Sequence, residues 1–102
     1  MVARSDLAIF YLPNHLPKMK TIFITGATSG IGKACAELFA KQGNRLILCG
    51  RREDKLAELK ERYAGTNEVH TLKFDVRNAD EVENAINSLP KGFKNIDVLI
   101  NN

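Results

Sequence analysis

Four short runs of apolar, largely β-branched or aromatic residues recur along the chain, separated by amphipathic stretches. Thr21-Ile22-Phe23-Ile24 and Arg45-Leu46-Ile47-Leu48-Cys49 are nearly continuous in apolar character, which predicts strands covered on both faces, as in a parallel sheet. Between them Ile31, Ala34, Cys35, Leu38 and Phe39 recur at helical spacing, predicting a helix over about Gly30 to Lys41 with those residues on its buried face. Gln42-Gly43-Asn44 supplies a helix-ending glycine and a short loop. Glu53 to Tyr63 carries Leu56, Leu59 and Tyr63 on one side and charge on the other, a surface helix ending near Gly65. Val69 to Phe74 alternates in part, with His70, Leu72 and Phe74 opposite Val69, Thr71 and Lys73, the pattern of a sheet-edge strand. Asn78 with Glu81 has the form of a capping box, for a helix whose apolar face is Val82, Ala85, Ile86 and Leu89 and which Pro90 and Gly92 stop. Asp97 to Ile100 forms the fourth strand. Strands alternating with helices predict an α/β fold with a doubly wound parallel sheet. Counting from Thr21 and using right-handed crossovers, the strand order is 3-2-1-4, with a ligand crevice at the switch point between strands one and four.

The first strand meets the first helix through Thr25-Gly26-Ala27-Thr28-Ser29-Gly30-Ile31-Gly32. Gly26 turns the chain sharply out of the strand, Gly30 admits close approach of a ligand, and Gly32 lets the helix pack closely on the sheet. The helix presents unpaired N–H groups and the positive end of its dipole, a site for a pyrophosphate. The spacing is G-x-x-x-G-x-G rather than G-x-G-x-x-G, so the glycines alone are weak evidence and a plain tight turn is the other reading. A second informative point closes the second strand, where folds that prefer NAD carry an acid for the ribose hydroxyls. Here Gly50 occupies that place and Arg51-Arg52 follows. A carboxylate would repel a 2′-phosphate and a guanidinium would pair with it, so NADP(H) is preferred over NAD(H). Arg51 is the better placed of the two; Arg52 either stacks on an adenine or begins the next helix. Asp75-Val76, ending the third strand, is by itself equally a turn.

Together these motifs resemble the short-chain dehydrogenase/reductase family over about Lys20 to Asn102. Thr25 to Gly32 matches its T-G-x-x-x-G-x-G motif, Asp75-Val76 its adenine-side pair, and Asn101-Asn102 the start of its N-N-A-G motif, without the closing Ala-Gly. Gly50-Arg51-Arg52 and the ending Asn95 to Asn102 look like the branch of NADP-dependent 3-hydroxy acid and serine dehydrogenases. The resemblance implies a Rossmann-type fold, of which this chain is the N-terminal half. It implies a dinucleotide held by Gly26, Ala27, Thr28, Ser29, Gly30, Ile31 and Gly32, with Asp75 accepting from the adenine amino group and Val76 N–H meeting a ring nitrogen. By the same resemblance Asn101 braces the sheet and Asn102 lies against the cofactor ribose. The family's chemistry uses a Tyr-x-x-x-Lys pair with a Ser and an Asn, all later in the chain. Tyr11 lies near the N-terminus and Tyr63 has Asn67 four residues on, so neither fits and no catalytic residue is assigned. The implied parent is an oxidoreductase moving hydride between NADP(H) and a small hydroxy or oxo substrate, and a homo-oligomer. The alternative is a non-catalytic nucleotide-binding or interaction module, for which the fourth strand would offer an exposed apolar edge.

The chain has 102 residues, whereas a complete doubly wound fold built of two halves needs roughly twice that. It is expected to be an N-terminal piece ending inside a core strand, with residues 19–102 forming part of the nucleotide-binding domain. Residues 1–18 fit none of this architecture: the apolar run Leu7 to Leu12, bounded by Pro13 and Pro17, is too short for a signal-peptide core. They are read as a disordered leader or a misassigned start, with Met19 as the initiator; an organelle-targeting segment is the other reading. The net charge of +3 at first suggests nucleic acid, but Arg51 to Arg62 interleaves with Glu53, Asp54, Glu58 and Glu61 as a solvated helix face, with Glu58 and Arg62 at favourable spacing. Neither nucleic acid nor a membrane is an expected partner, and no stretch approaches a membrane span. Cys35 and Cys49 read as reduced core residues of a cytoplasmic protein, without the spacing of a metal site. His15 and His70 are isolated, and His70 is expected at the surface.

Overall fold

The computed structural model describes residues 8–11 and 19–102. In chain order the elements are β1 (Ala8–Tyr11), β2 (Thr21–Ile24), α1 (Gly30–Lys41), β3 (Arg45–Gly50), α2 (Glu53–Ala64), β4 (Val69–Lys73), α3 (Ala79–Asn87), a 3₁₀ turn over Lys91–Phe93, and β5 (Val98–Asn101). The sheet order is β1-β5-β2-β3-β4. The last four strands are parallel, with Ile22 opposite Leu46 and Val98, and Leu46 opposite Val69. This is the 3-2-1-4 order expected, each parallel neighbour in the sheet reached through a crossover.

One element departs from that expectation. Ala8–Tyr11 pairs antiparallel with β5, from Ala8 opposite Asn101 to Tyr11 opposite Val98, so the outer edge of β5 is covered rather than exposed. The physical reason lies in the edge itself: a row of unpaired N–H and C=O groups accepts any short extended run that reaches it. Antiparallel edge strands on otherwise parallel sheets are common. The readings made for residues 1–7 and 12–18, His15 included, lie outside the described residues.

Strand alternation divides the core. Ile22, Ile24, Leu46, Leu48, Val98 and Ile100 face one side with Leu56, Leu59 and Tyr63 of α2 and Ala36 and Ala40 of α1. Phe23, Ile47 and Cys49 face the other with Leu72, Phe74 and Leu89, against which Val82, Ala85, Phe93, Ile96 and Leu99 pack. The period of two thus supplies both faces from the same strands. On α1 the buried row is Gly32, Ala36 and Ala40. Ile31, Cys35 and Phe39 flank it half-buried, while Ala34 is exposed and Leu38 is 55% exposed, against expectation. Small residues at intervals of four let the helix axis approach the sheet, which rotates the larger apolar residues to the sides. On α3, Asn78 Oδ1 accepts from the N–H groups of Asp80 (3.1 Å) and Glu81 (3.2 Å), half of the capping box. The Asn78 N–H donates instead to the Asp75 carbonyl at 2.9 Å. Arg62 lies with its guanidinium carbon 6.0 Å from the Tyr63 ring centroid. Among the described residues no helix is long and apolar enough to cross a membrane.

Cys49 is buried and Cys35 half-buried, both free thiols, and burial pushes both above the usual thiol range. His70 is half-buried rather than a surface residue, its ring centroid 5.5 Å from that of Phe93. Burial lowers its pKa, and the charge of Lys60 lowers it further. Folding therefore favours the neutral ring, and the unfolded chain binds the extra proton once pH falls below the ordinary histidine value of about 6.5. Stability is expected to decline as pH drops through that value, and His70→Gln should flatten this part of a urea-midpoint profile against pH. A variant profile as steep as that of the wild type would show that other groups govern it.

Candidate functional site

The carboxyl ends of the parallel strands meet in a cleft of about 330 Å³. Its walls come from four loops: Gly26, Thr28 and Ser29 after β2, Gly50 and Arg51 at the end of β3, Phe74 to Arg77 after β4, and Asn102 after β5. A crevice outside the carboxyl ends of strands, where crossovers diverge in opposite directions, is the general ligand position of this architecture.

The glycine turn is held on both sides. The Thr25 N–H donates to the Ile100 carbonyl and the Ala27 N–H to the Cys49 carbonyl, both at 3.0 Å, so the turn spans from β5 to β3. Gly26 takes φ +60° and Gly30 φ +57°, the left-handed region that favours glycine. Gly32 serves closeness rather than torsion, and the contact is with the turn. A Cβ there would overlap the Gly26 carbonyl oxygen and come within 2.8 Å of Asn102 Nδ2. Asn102 fastens this corner, its Nδ2 donating to the Gly26 carbonyl (3.1 Å) and its N–H to Thr25 Oγ1 (3.0 Å). Thr25 Oγ1 in turn donates to Asn101 Oδ1 at 3.1 Å. The bracing expected of Asn101 is therefore shared, with Asn102 carrying the direct link to the turn.

Electrostatically, α1 differs from the other two helices. The first turns of α2 and α3 carry Glu53 with Asp54 and Asp80 with Glu81, and Asn78 caps α3. In α1 the first turn has no acid, and the Ser29 side chain makes no capping hydrogen bond. Its leading N–H groups and dipole are left for an anion. Across the cleft stands Arg51, which among the described residues forms no ion pair. At Gly50 a Cβ would come within 3.1 Å of Thr28 Cγ2, so the position that holds an acid in other folds is packed tightly against the glycine turn.

The cleft thus brings together Gly26, Thr28, Ser29, Arg51, Asp75, Val76 and Asn102 from those proposed. The others stand back from its lining. Ala27 and Gly32 are buried, Ile31 is half-buried, and Gly30 opens the helix where, among the described residues, nothing beyond its chain neighbours and its own helix backbone lies within 4 Å of a Cβ. Arg52 is the N-cap residue of α2, with Nη2 3.2 Å from Asp54 Oδ2. Two lining residues were not foreseen. Phe74, 3% exposed, adds apolar wall beside Asp75. Arg77 donates to Asp75 through Nη2 to Oδ2 (2.8 Å), Nε to Oδ1 (3.1 Å) and its own backbone N–H to Oδ1 (2.9 Å). The side-chain bonds of Arg77, its backbone N–H and the nearby charges of Arg77 and Arg51 hold the Asp75 carboxyl at about 2. The signal was present as an Asp two residues before an Arg at a strand end, the form of an Asx turn. Tyr63 faces the core from α2, outside the cleft lining, and burial raises its pKa.

A family model described as short chain dehydrogenase matches residues 20–102. This chain belongs to that family. Among short chain dehydrogenase relatives, a sulfoacetaldehyde reductase of Chromohalobacter salexigens is 48% identical over 81 residues, covering 79% of this chain and 32% of the relative. A serine 3-dehydrogenase of Agrobacterium fabrum is 44% identical over 86 residues, covering 80% and 32%. The chain therefore spans about a third of the length of the curated relatives it matches. In solved structures, a closed serine dehydrogenase complexed with NADP+ superposes with TM-score 0.66 at 37% identity, covering 74% of this chain and 30% of that one. A short chain dehydrogenase from Burkholderia phymatum in complex with NAD gives 0.70 at 32% identity, covering 78% and 28%. The family binds a nicotinamide dinucleotide, and these two structures hold NADP+ and NAD respectively.

Proposed function

We propose that this chain is the NADP(H)-binding portion of an oxidoreductase that transfers hydride between NADP(H) and a small hydroxy or oxo substrate. The observation that carries the reading is the pairing, across one cleft, of an acid-free, uncapped α1 N-terminus with an Arg51 that forms no ion pair among the described residues. These residues fit a dinucleotide carrying a 2′-phosphate. The glycine turn and the leading α1 N–H groups would hold the pyrophosphate, and Arg51 the 2′-phosphate. Asp75 and Val76 would take the adenine, and Asn102 the nicotinamide-side ribose. When bound, the dinucleotide supplies or accepts the hydride, while the groups that move the proton lie outside this chain. Relatives named for sulfoacetaldehyde, serine and 3-hydroxy acids support a small polar substrate, and serine and 3-hydroxy acids are the class proposed here. With Cys35 and Cys49 placed as core thiols, a reduced cytoplasmic setting and a homo-oligomeric parent complete the reading.

The test is a titration of the full-length protein with NADPH and NADH, followed by reduction of NADP+ in the presence of serine or a 3-hydroxy acid. Saturable binding favouring NADPH by about tenfold or more, with substrate-dependent formation of NADPH, is the expected result. Equal affinity for the two dinucleotides would remove the assignment to NADP(H).

A further inference from the structure

Asp75 sits on the cleft wall with both carboxylate oxygens engaged by one residue. Oδ1 accepts from the Arg77 N–H and Nε, at 2.9 and 3.1 Å, while Oδ2 accepts from Nη2 at 2.8 Å with Nε more distant at 3.3 Å. An ionised carboxylate offers about four lone-pair sites. Arg77 therefore saturates Oδ1 and leaves Oδ2 with capacity for one further donor. The Arg77 fork is planar and the contact bidentate, which fixes the plane of the carboxylate as well as its charge. The second cationic group on the cleft, Arg51, makes no ion pair among the described residues, although its charge reaches Asp75. Arg77 thus satisfies the carboxylate locally, and Arg51 is left for an anion.

We propose that Arg77 is a positioning residue for cofactor recognition: it fixes Asp75 so that Oδ2 accepts from an exocyclic amino group on a purine ring, and it keeps Asp75 from pairing with Arg51. The inference rests on the reading of the cleft as the adenosine side of an NADP(H) site. It assigns adenine selectivity to a pair, one residue touching the base and the other acting through it.

The experiment compares NADPH with its 6-deamino purine analogue, in which hydrogen replaces the amino group and the ring nitrogens remain acceptors for the Val76 N–H, in the full-length protein. Wild type is expected to favour the adenine form by about tenfold, the scale of one hydrogen bond to a charged acceptor. Arg77→Met should reduce that preference to about threefold or less, and Arg77→Lys, which keeps the charge but not the fork, should restore part of it. Circular dichroism and the urea midpoint of each variant establish that it is folded, and loss of purine preference in a folded variant is an effect that lost packing alone does not produce. Wild-type discrimination that survives Arg77→Met overturns the role of Arg77 while leaving the NADP(H) reading intact. A wild type that binds NADPH but treats both purines alike overturns Asp75 as the amino acceptor and the positioning role with it; a wild type that binds neither form overturns the reading of the cleft. An Arg77→Met variant that keeps its purine preference but loses NADPH over NADH would make Arg77 a phosphate ligand instead.

Discussion

Arg51→Asp is expected to reverse the cofactor preference, lowering the NADPH-to-NADH ratio of kcat/KM in the full-length protein by about 100- to 1,000-fold. Two effects of the same sign combine. Losing a charge-assisted hydrogen bond to the 2′-phosphate forfeits about 1.5–3 kcal/mol, which is roughly tenfold to more than a hundredfold. The new carboxylate repels the phosphate and accepts from the free ribose hydroxyls of NADH, the role that an acid at the end of this strand plays in NAD-preferring folds. Arg52→Asp serves as the contrast. Its guanidinium already pairs with Asp54 and stands outside the cleft lining, so the ratio should move by less than about threefold, the scale of an exposed ion pair. An unchanged ratio in Arg51→Asp would refute the 2′-phosphate assignment.

Gly32→Ala should cost the fold about 1–3 kcal/mol net, although helix propensity alone favours alanine over glycine by about 1 kcal/mol. Sterics decide the sign. The added methyl would overlap the Gly26 carbonyl, a backbone atom fixed by the Asn102 side chain on one side and by the Ala27 bond to Cys49 on the other. Overpacking of this kind costs about 1–3 kcal/mol, and the displaced Asn102 bond about 1 kcal/mol more. The expected signature is a lower urea midpoint with an unchanged m-value and weakened NADPH binding. Gly65→Ala, at φ −71° where among the described residues nothing beyond the adjoining chain lies within 4 Å of the new Cβ, should be neutral or slightly stabilising. If the two variants behave alike, the close contact at Gly32 has no energetic weight.

Much of the parallel framework was legible because its signals are local. A strand covered on both faces shows its apolar run within itself, as Ile22 to Ile24 and Leu46 to Cys49 do, and Gly26 marks its turn by residue type. Arg51 was legible because its place is counted from the end of a strand. Less could be read where the cause lies elsewhere in the chain. Nothing within residues 8–11 announces an antiparallel ladder to Asn101, since that pairing depends on an edge created by β5. The orientation of α1 follows from the small size of Gly32, Ala36 and Ala40, which a hydrophobic pattern weights below Leu38. The bracing by Asn102 joins residues 76 apart, and the Arg77 fork on Asp75 turns on side-chain directions that a turn motif leaves open.

The way β5 enters the sheet sets an order of assembly. Early contacts are short in sequence: the Lys20 N–H to Asn44 bond closes 24 residues, and Arg45 to Glu68 closes 23. The bond between Asn102 and Thr25 closes 77. Loop closure costs more as the loop lengthens, and distant pairings form slowly, so β2, β3 and β4 can join before β5 docks beside β2. During synthesis the glycine turn is therefore made long before the residue that fastens it exists. A dinucleotide that needs the fastened turn can stabilise the finished sheet by mass action, but it has no grip on the chain while the first three parallel strands are finding their register.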